Sequence, residues 1–138
     1  MPEQDKYFDP LRRKWVAATP EEKVRQWFIG VLKDQAGVPA WLMNSEVQMK
    51  SGQKPWRADI LVYSRSGRPL AVVECKRPDV KIDASVADQA LRYHSVQQVG
   101  FIFLTNGEST YAYRRNGTAF TQLDHIPTYS EMTQQCQQ

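Results

Sequence analysis

The stretch PLAVVECKRP, Pro69 to Pro78, decides the reading of this chain. Leu70 to Val73 and Cys75 suit a core strand, whereas Glu74 and Lys76 interrupt and close the same run. In a strand, residues two apart point to the same face. Glu74 and Lys76 therefore project together, and Cys75 points the other way. Just upstream, PWRADILVY (Pro55 to Tyr63) is a second β-rich run, and Ser66-Gly67 between the two supplies a tight turn. A hairpin folded about Ser66-Gly67 sets position 59 opposite position 74. Directly opposed cross-strand neighbours have Cβ atoms roughly 4.5–5.5 Å apart. Asp59, Glu74 and Lys76 then share one small patch at one end of a sheet.

Two adjacent carboxylates repel, and burial makes the repulsion worse. A divalent cation relieves it. Mg²⁺ takes octahedral oxygen ligation and is held by one or two carboxylates with waters and phosphate oxygens. An ammonium beside it offers a point charge for a phosphate or orients a water. The constellation suits metal-assisted phosphodiester hydrolysis, with Mg²⁺ as cofactor and Mn²⁺ as a substitute.

Working outward, Thr19-Pro20-Glu21-Glu22 opens a helix over 20–36, with Thr19 as N-cap, Pro20 at the first position and Glu22 completing a capping box. Val24, Trp27, Phe28, Val31 and Leu32 carry its apolar stripe, and Gly37 with Pro39 ends it. Residues 44–50 alternate as a short strand. A second helix over 84–95, N-capped by Asp83, carries Val86, Ala87, Ala90, Leu91 and His94 at helical spacing, so His94 reads as a packed residue. FIFLTN (101–106) is a fully buried strand, and STYAYRRNG (109–117) a further one after the Asn106-Gly107 turn. Strand 70–75, helix 84–95 and strand 101–105 form a right-handed β-α-β crossover with parallel strands. The fold class is α/β (α+β): a mixed central sheet flanked by helices, in the order αβββαβ plus an extra strand.

At 138 residues the chain reads as one domain. Residues 1–18 read as an irregular basic lead-in containing Arg12, Arg13 and Lys14, residues 19–117 as the domain, and residues 118–138 as a polar, flexible tail. Net charge is +3, compatible with a polyanionic partner. Cys75 and Cys136 match no metal or disulfide spacing, which points to a reducing cytoplasm. No apolar run is long enough to span a membrane, the N-terminus lacks a signal peptide's apolar region, and no GxxxxGK(S/T) loop for ATP is present. The tryptophans read as core or rim anchors.

Asp59, fourteen residues, then Glu74-Cys75-Lys76 on the next strand resembles the PD-(D/E)xK nuclease superfamily. YFDPLRRKWVAATPEEKVRQWFIGVL, RADILVY, PLAVVECKRP, ADQALRYHS and IFLTNG, in that order, resemble the N-terminal nuclease domain of type I restriction enzyme R proteins in a small stand-alone form; the resemblance covers about residues 7–115. Ala58, not proline, precedes Asp59, a departure the superfamily tolerates. The resemblance implies a restriction-endonuclease-like core, with Asp59 and Glu74 as metal ligands and Lys76 as the catalytic lysine. It also implies a glutamate from the first helix, for which Glu21 and Glu22 compete. At about 100° per residue, Glu21 falls some 60° from Val24 and Glu22 some 160°. Glu21 is therefore expected in the site as a third ligand, and Glu22 is expected to face away. Gln89 and Tyr93, i and i+4 on the second helix, resemble a Gln-x-x-x-Tyr signature, in which the glutamine orients the lysine or a phosphate and the tyrosine supports it.

The function implied is a Mg²⁺-dependent DNA endonuclease of a restriction-modification type, acting as a homodimer or with other restriction-modification subunits. The alternatives are a non-catalytic nucleic-acid- or partner-binding module on a nuclease fold, or an accessory subunit of a type I restriction system.

Overall fold

The computed structural model describes residues 5–51 and 54–135. Six strands form one sheet in the order β3 (Met43–Ser51), β4 (Lys54–Tyr63), β5 (Pro69–Cys75), β6 (Phe101–Thr105), β7 (Thr110–Asn116) and β8 (Ala119–Leu123). Only β5 and β6 run parallel, joined through helix α2 (Ala84–His94); the other neighbours are antiparallel, so the sheet is mixed. Helix α1 (Pro20–Asp34) and helix α3 (Tyr129–Gln135) cover one face, where Phe28, Leu32 and Met132 pack on Ile60, Val73 and Phe103. Helix α2 covers the other, where Trp56, Leu61, Val72 and Ile102 form a smaller core with Leu91. The expected αβββαβ core with its extra strand is present.

The hairpin register matches the expected one, but by a different route. The turn is a three-residue loop: Ser64 N donates to Arg68 O (2.8 Å), Gly67 N donates to Ser64 O (2.9 Å), and Gly67 takes φ +88°, which suits a residue without a Cβ. A bulge between Val62 and Tyr63 then shifts the ladder by one residue, restoring Val62↔Ala71, Leu61↔Val72 and Ile60↔Val73. Asp59 and Glu74 are the next positions along that register.

Two segments depart from expectation. Residues 1–18 do not form an irregular lead-in throughout: β1 (Lys6–Asp9) pairs antiparallel with β2 (Lys14–Ala17). Asp9 makes the turn, its Oδ1 accepting from Leu11 N (2.8 Å) and Arg12 N (3.3 Å), and Arg13 enters the left-handed region at φ +55°. Residues 118–135 are likewise ordered rather than a flexible tail. Strand β8 extends the sheet, and α3 buries Tyr129 and Met132 in the main core. Thr128 and Glu131 form a reciprocal capping box (2.9 and 3.1 Å), and the Tyr129 hydroxyl donates to Tyr63 O at 2.9 Å. A single buried turn needs few apolar residues, so composition hides it. Cys136 lies outside the described residues; Cys75 is buried and free.

Candidate active site

At the end of the sheet where β5 finishes, a cavity of about 540 Å³ opens between α1 and α2. Glu21 reaches it from α1, Asp59 from β4, Glu74 and Lys76 from the end of β5, and Gln89 and Tyr93 from α2. All six side chains singled out in the sequence thus line one cavity. Glu46 of β3 and His94 of α2 line it as well.

Local irregularity turns Asp59 towards α1. Ile60 faces the α1 core while Ala58 faces the α2 core, so the two-residue alternation breaks across Asp59. Its neighbour on β3, Glu46, sits at φ +56°. Such irregularities re-aim side chains beside functional sites. The Asp59 carboxylate accepts from Cys75 N at 2.6 Å and from Arg25 Nη2 at 2.9 Å. Glu74 is held from the other side, its Oε1 lying 2.9 Å from His94 Nε2 and its Oε2 2.8 Å from Lys76 Nζ. Burial pushes the Glu74 carboxyl up, but the hydrogen bonds from His94 and Lys76 and the charge of Lys76 outweigh it and hold the pKa at about 2.

His94 is buried, and its Nδ1 lies 3.2 Å from Trp56 Nε1. An indole N–H can only donate, so Nδ1 accepts and the imidazole proton sits on Nε2, aimed at Glu74. The packed reading of His94 was therefore half of its role: it also orients a carboxylate. Tyr93 is positioned by its hydroxyl, which accepts from Arg57 N at 2.9 Å. Lys76 N donates to Thr105 O at 2.8 Å, tying the lysine backbone to β6.

Glu21 lines the cavity with its carboxyl pushed up by burial and by the negative charges of Asp59 and Glu46, against Arg25 and Lys76. Glu22 departs from the expected outward, capping orientation. Thr19 Oγ1 does accept from Glu22 N (3.1 Å), but the Glu22 side chain is buried. It accepts from Arg12 Nη2 (2.8 Å), Gln26 Nε2 (2.9 Å) and Arg25 Nη1. The β1–β2 hairpin causes this, because it covers that face of α1 and delivers Arg12. Arg12 is accordingly an internal cation rather than a solvated or phosphate-facing one. Arg115 is likewise committed, donating to the carbonyls of Ser95, Gln97 and Val99.

The residue that the sequence reading missed is Arg25. It is 3% exposed and joins Glu22, Glu46 (2.9 Å) and Asp59 (2.9 Å). Its position four residues after Glu21, next to the apolar stripe at Val24, was the available signal. The expected convergence of Asp59 and Glu74 on one cation takes a modified form. Each carboxylate is matched by a protein cation, Arg25 for one and Lys76 for the other. No group of three or more His, Cys, Asp or Glu side chains is arranged for a metal ion among the described residues. The donor types nonetheless suit Mg²⁺: Glu21, Asp59 and Glu74 are hard oxygen donors around one space, and Glu21 carries the repulsion that a cation would relieve.

A mixed sheet with helices on both faces and an acid–acid–lysine pair on adjoining strands defines a restriction-endonuclease-like nuclease fold. The chain belongs to the family described as the type I restriction enzyme R protein N terminus (HSDR_N), whose model matches residues 20–127. Among solved structures it is similar to a fragment of a candidate HsdR subunit of a type I restriction enzyme from Vibrio vulnificus. The TM-score there is 0.61 at 22% identity, covering 84% of this chain and 25% of that one. It is also similar to a candidate nuclease belonging to DUF820 from Anabaena variabilis, with a TM-score of 0.53 at 13% identity, covering 94% of this chain and 84% of that one. The chain thus spans a quarter of the HsdR fragment's length. No curated protein matches it by sequence. No helix among the described residues is long and apolar enough to cross a membrane.

Proposed function

We propose that this chain is a Mg²⁺-dependent DNA endonuclease of the restriction-modification type, acting in the cytoplasm, with Mn²⁺ able to substitute. The observation that carries this reading is the meeting of Glu21, Asp59, Glu74, Lys76, Gln89 and Tyr93 around one cavity in a chain of this family. Glu21, Asp59 and Glu74 would hold the ion, which polarises the scissile phosphate and lowers the pKa of the attacking water. Lys76, 2.8 Å from Glu74, places a positive charge beside that water or the phosphate. His94 keeps Glu74 turned towards the cavity. Gln89 and Tyr93 line the cavity from α2, where Gln89 would meet a phosphate or the Lys76 ammonium. Cutting both strands calls for two such sites, which a homodimer or other restriction-modification subunits would supply.

A second reading draws on Arg25. An arginine that already neutralises Asp59 suits a fold that holds nucleic acid or a partner subunit without cutting it, including an accessory role in a type I restriction system. The test is cleavage of plasmid and single-stranded DNA with Mg²⁺, Mn²⁺ or EDTA, beside thermal melting of the same proteins. The nuclease reading expects cleavage that EDTA stops and a rise in melting temperature with millimolar metal. Asp59→Ala should lose both. Lys76→Ala should keep the thermal shift and lose cleavage, since it removes no ligand. Wild-type protein that shows neither cleavage nor shift would favour the second reading.

A further inference from the structure

The β1–β2 hairpin precedes the residues matched by the family model. Its two faces differ in chemistry. The inner face is tied down: Asp9 is fully buried, Ser45 Oγ donates to it at 2.8 Å, and Arg12 joins it to Glu22 of α1. The outer face carries Phe8 and Trp15, which are direct cross-strand partners. Their rings stand edge to face with centroids 5.5 Å apart. Burial does not explain them, since Phe8 is 48% and Trp15 65% exposed. Lys6, two residues before Phe8, shares its face, and Arg13 lies at the turn; both are exposed. Asp9 is turned inward and matched by Arg12, and the exposed Asp5 falls on the alternate face from Lys6 and Phe8, so the charge beside the two rings is positive.

We propose that this outer face is a nucleic-acid-binding surface, in which Phe8 and Trp15 stack on unpaired bases while Lys6 and Arg13 meet the strand's phosphates. Aromatic rings set among basic side chains are the pattern that tracks single strands, because every base has a stacking face and every nucleotide a phosphate. The positive surroundings favour a polyanion over an apolar protein partner. The choice of DNA rests on the function proposed above. The ion-pair chain from Asp9 through Arg12 and Glu22 to Arg25 and Asp59 fixes the hairpin relative to the cavity, so a strand bound here has a set approach to it.

The test is fluorescence anisotropy of the full chain with three labelled probes, in EDTA to prevent cutting: a 20-nucleotide single strand, an abasic strand of equal length, and a duplex. We expect the base-bearing strand to bind roughly tenfold or more tightly than the abasic one. Phe8→Ala and Trp15→Ala should each erase most of that difference, and Trp15→Phe should retain it. Lys6→Ala should weaken both strands alike and flatten the salt dependence by about one phosphate contact. Because Phe8 and Trp15 are exposed, their truncation should leave the circular dichroism spectrum unchanged; Trp15→Phe gives a second, conservative check. Equal binding of base-bearing and abasic strands would overturn the proposal. So would duplex binding that ignores Phe8 and Trp15, or a wild-type dimer in light scattering that Trp15→Ala dissolves. Strand binding through the hairpin without any cleavage would leave this inference standing and sink the nuclease reading. Cleavage with no loss of binding in the hairpin variants would do the reverse.

Discussion

Asp59 and Glu74 face the same cavity but are held in contrasting ways. On the α1 side, Asp9, Arg12, Glu22, Arg25 and Asp59 alternate in sign along a largely buried chain that runs from the hairpin to the site. Its cations are arginines, which stay charged and present several donors in a fixed plane. On the α2 side, Glu74 is held by one lysine, 32% exposed, and by a histidine whose orientation comes from a neutral indole. The first arrangement resists change because its central charges, Glu22 and Arg25, are buried and each meets more than one partner. The second can give way at Lys76, whose ammonium still reaches solvent. The α1 side thus sets where Asp59 stands, while the α2 side leaves the Lys76 ammonium free to move.

The contrast breaks most visibly at Arg25. Arg25→Met keeps much of the volume but leaves Asp59 without its cation and Glu22 with Arg12 alone. Removing one partner of a buried ion pair costs about 3–5 kcal/mol, and urea denaturation should show a loss of that size. Arg25→Lys should recover little, since an ammonium cannot reproduce the fork that joins Glu22, Glu46 and Asp59. Lys76→Met, at the partly solvated end of the other side, should cost about 0–1 kcal/mol. Similar losses for Arg25→Met and Lys76→Met would erase the distinction.

A smaller effect, about 1–3 kcal/mol near neutral pH, is expected of Asp9→Asn, which weakens hydrogen bonds at a charged group. Its pH dependence carries the sharper information. Burial pushes the Asp9 carboxyl up, but hydrogen bonds from Arg12, Ser45 and the backbone amides of Leu11 and Arg12 hold it below its ordinary value of 3.8. A carboxyl depressed in the folded state adds stability that is present above the unfolded value and is lost as pH falls through the folded one. The gap between wild type and Asp9→Asn should therefore hold steady above about pH 5 and narrow below 3.8. Denaturation curves taken from neutral to strongly acidic pH would test this, and a gap that persists undiminished at the acid end would refute it.

The strand pair bearing Asp59, Glu74 and Lys76 was legible because period-two alternation and a Ser-Gly turn are local signals. The register came out right even though the loop has three residues, because the bulge at Val62/Tyr63 offset the error. The helix carrying Glu21 was equally plain from its cap and apolar stripe. The buried ion-pair chain was not, since it depends on a hairpin whose strands read as solvated charge until Asp9 is seen turned inward. Two capping boxes make the same point. Thr19 and Glu22 have the pattern, yet Glu22 is drawn to arginines that sequence spacing could not bring near. Thr128 and Glu131 carry the same pattern within a polar segment, and there the box closes. A local motif predicts a local bond only when no distant partner competes for the side chain.

The last effect belongs to Trp56. Trp56→Phe keeps an aromatic ring but removes the N–H that reaches His94 Nδ1 and leaves that buried acceptor unpaired, so it should cost about 1–3 kcal/mol. Two neighbours dictate the same histidine tautomer: the indole can only donate to Nδ1, and an ionised Glu74 can only accept from Nε2. Losing the indole alone should leave the proton on Nε2, because Glu74 still demands it. Losing both demands, in Trp56→Phe combined with Glu74→Gln, should let the two tautomers mix. Nitrogen-15 chemical shifts of the imidazole ring would read this directly. A wild-type imidazole protonated on Nδ1 is incompatible with the Trp56 bond, and in the neutral Nδ1 tautomer Glu74 would be positioned by Lys76 alone. Retention of the Nε2 proton in the double variant would place the determinant elsewhere in the α2 packing, and the α2 side would then be as rigidly specified as the arginine chain opposite.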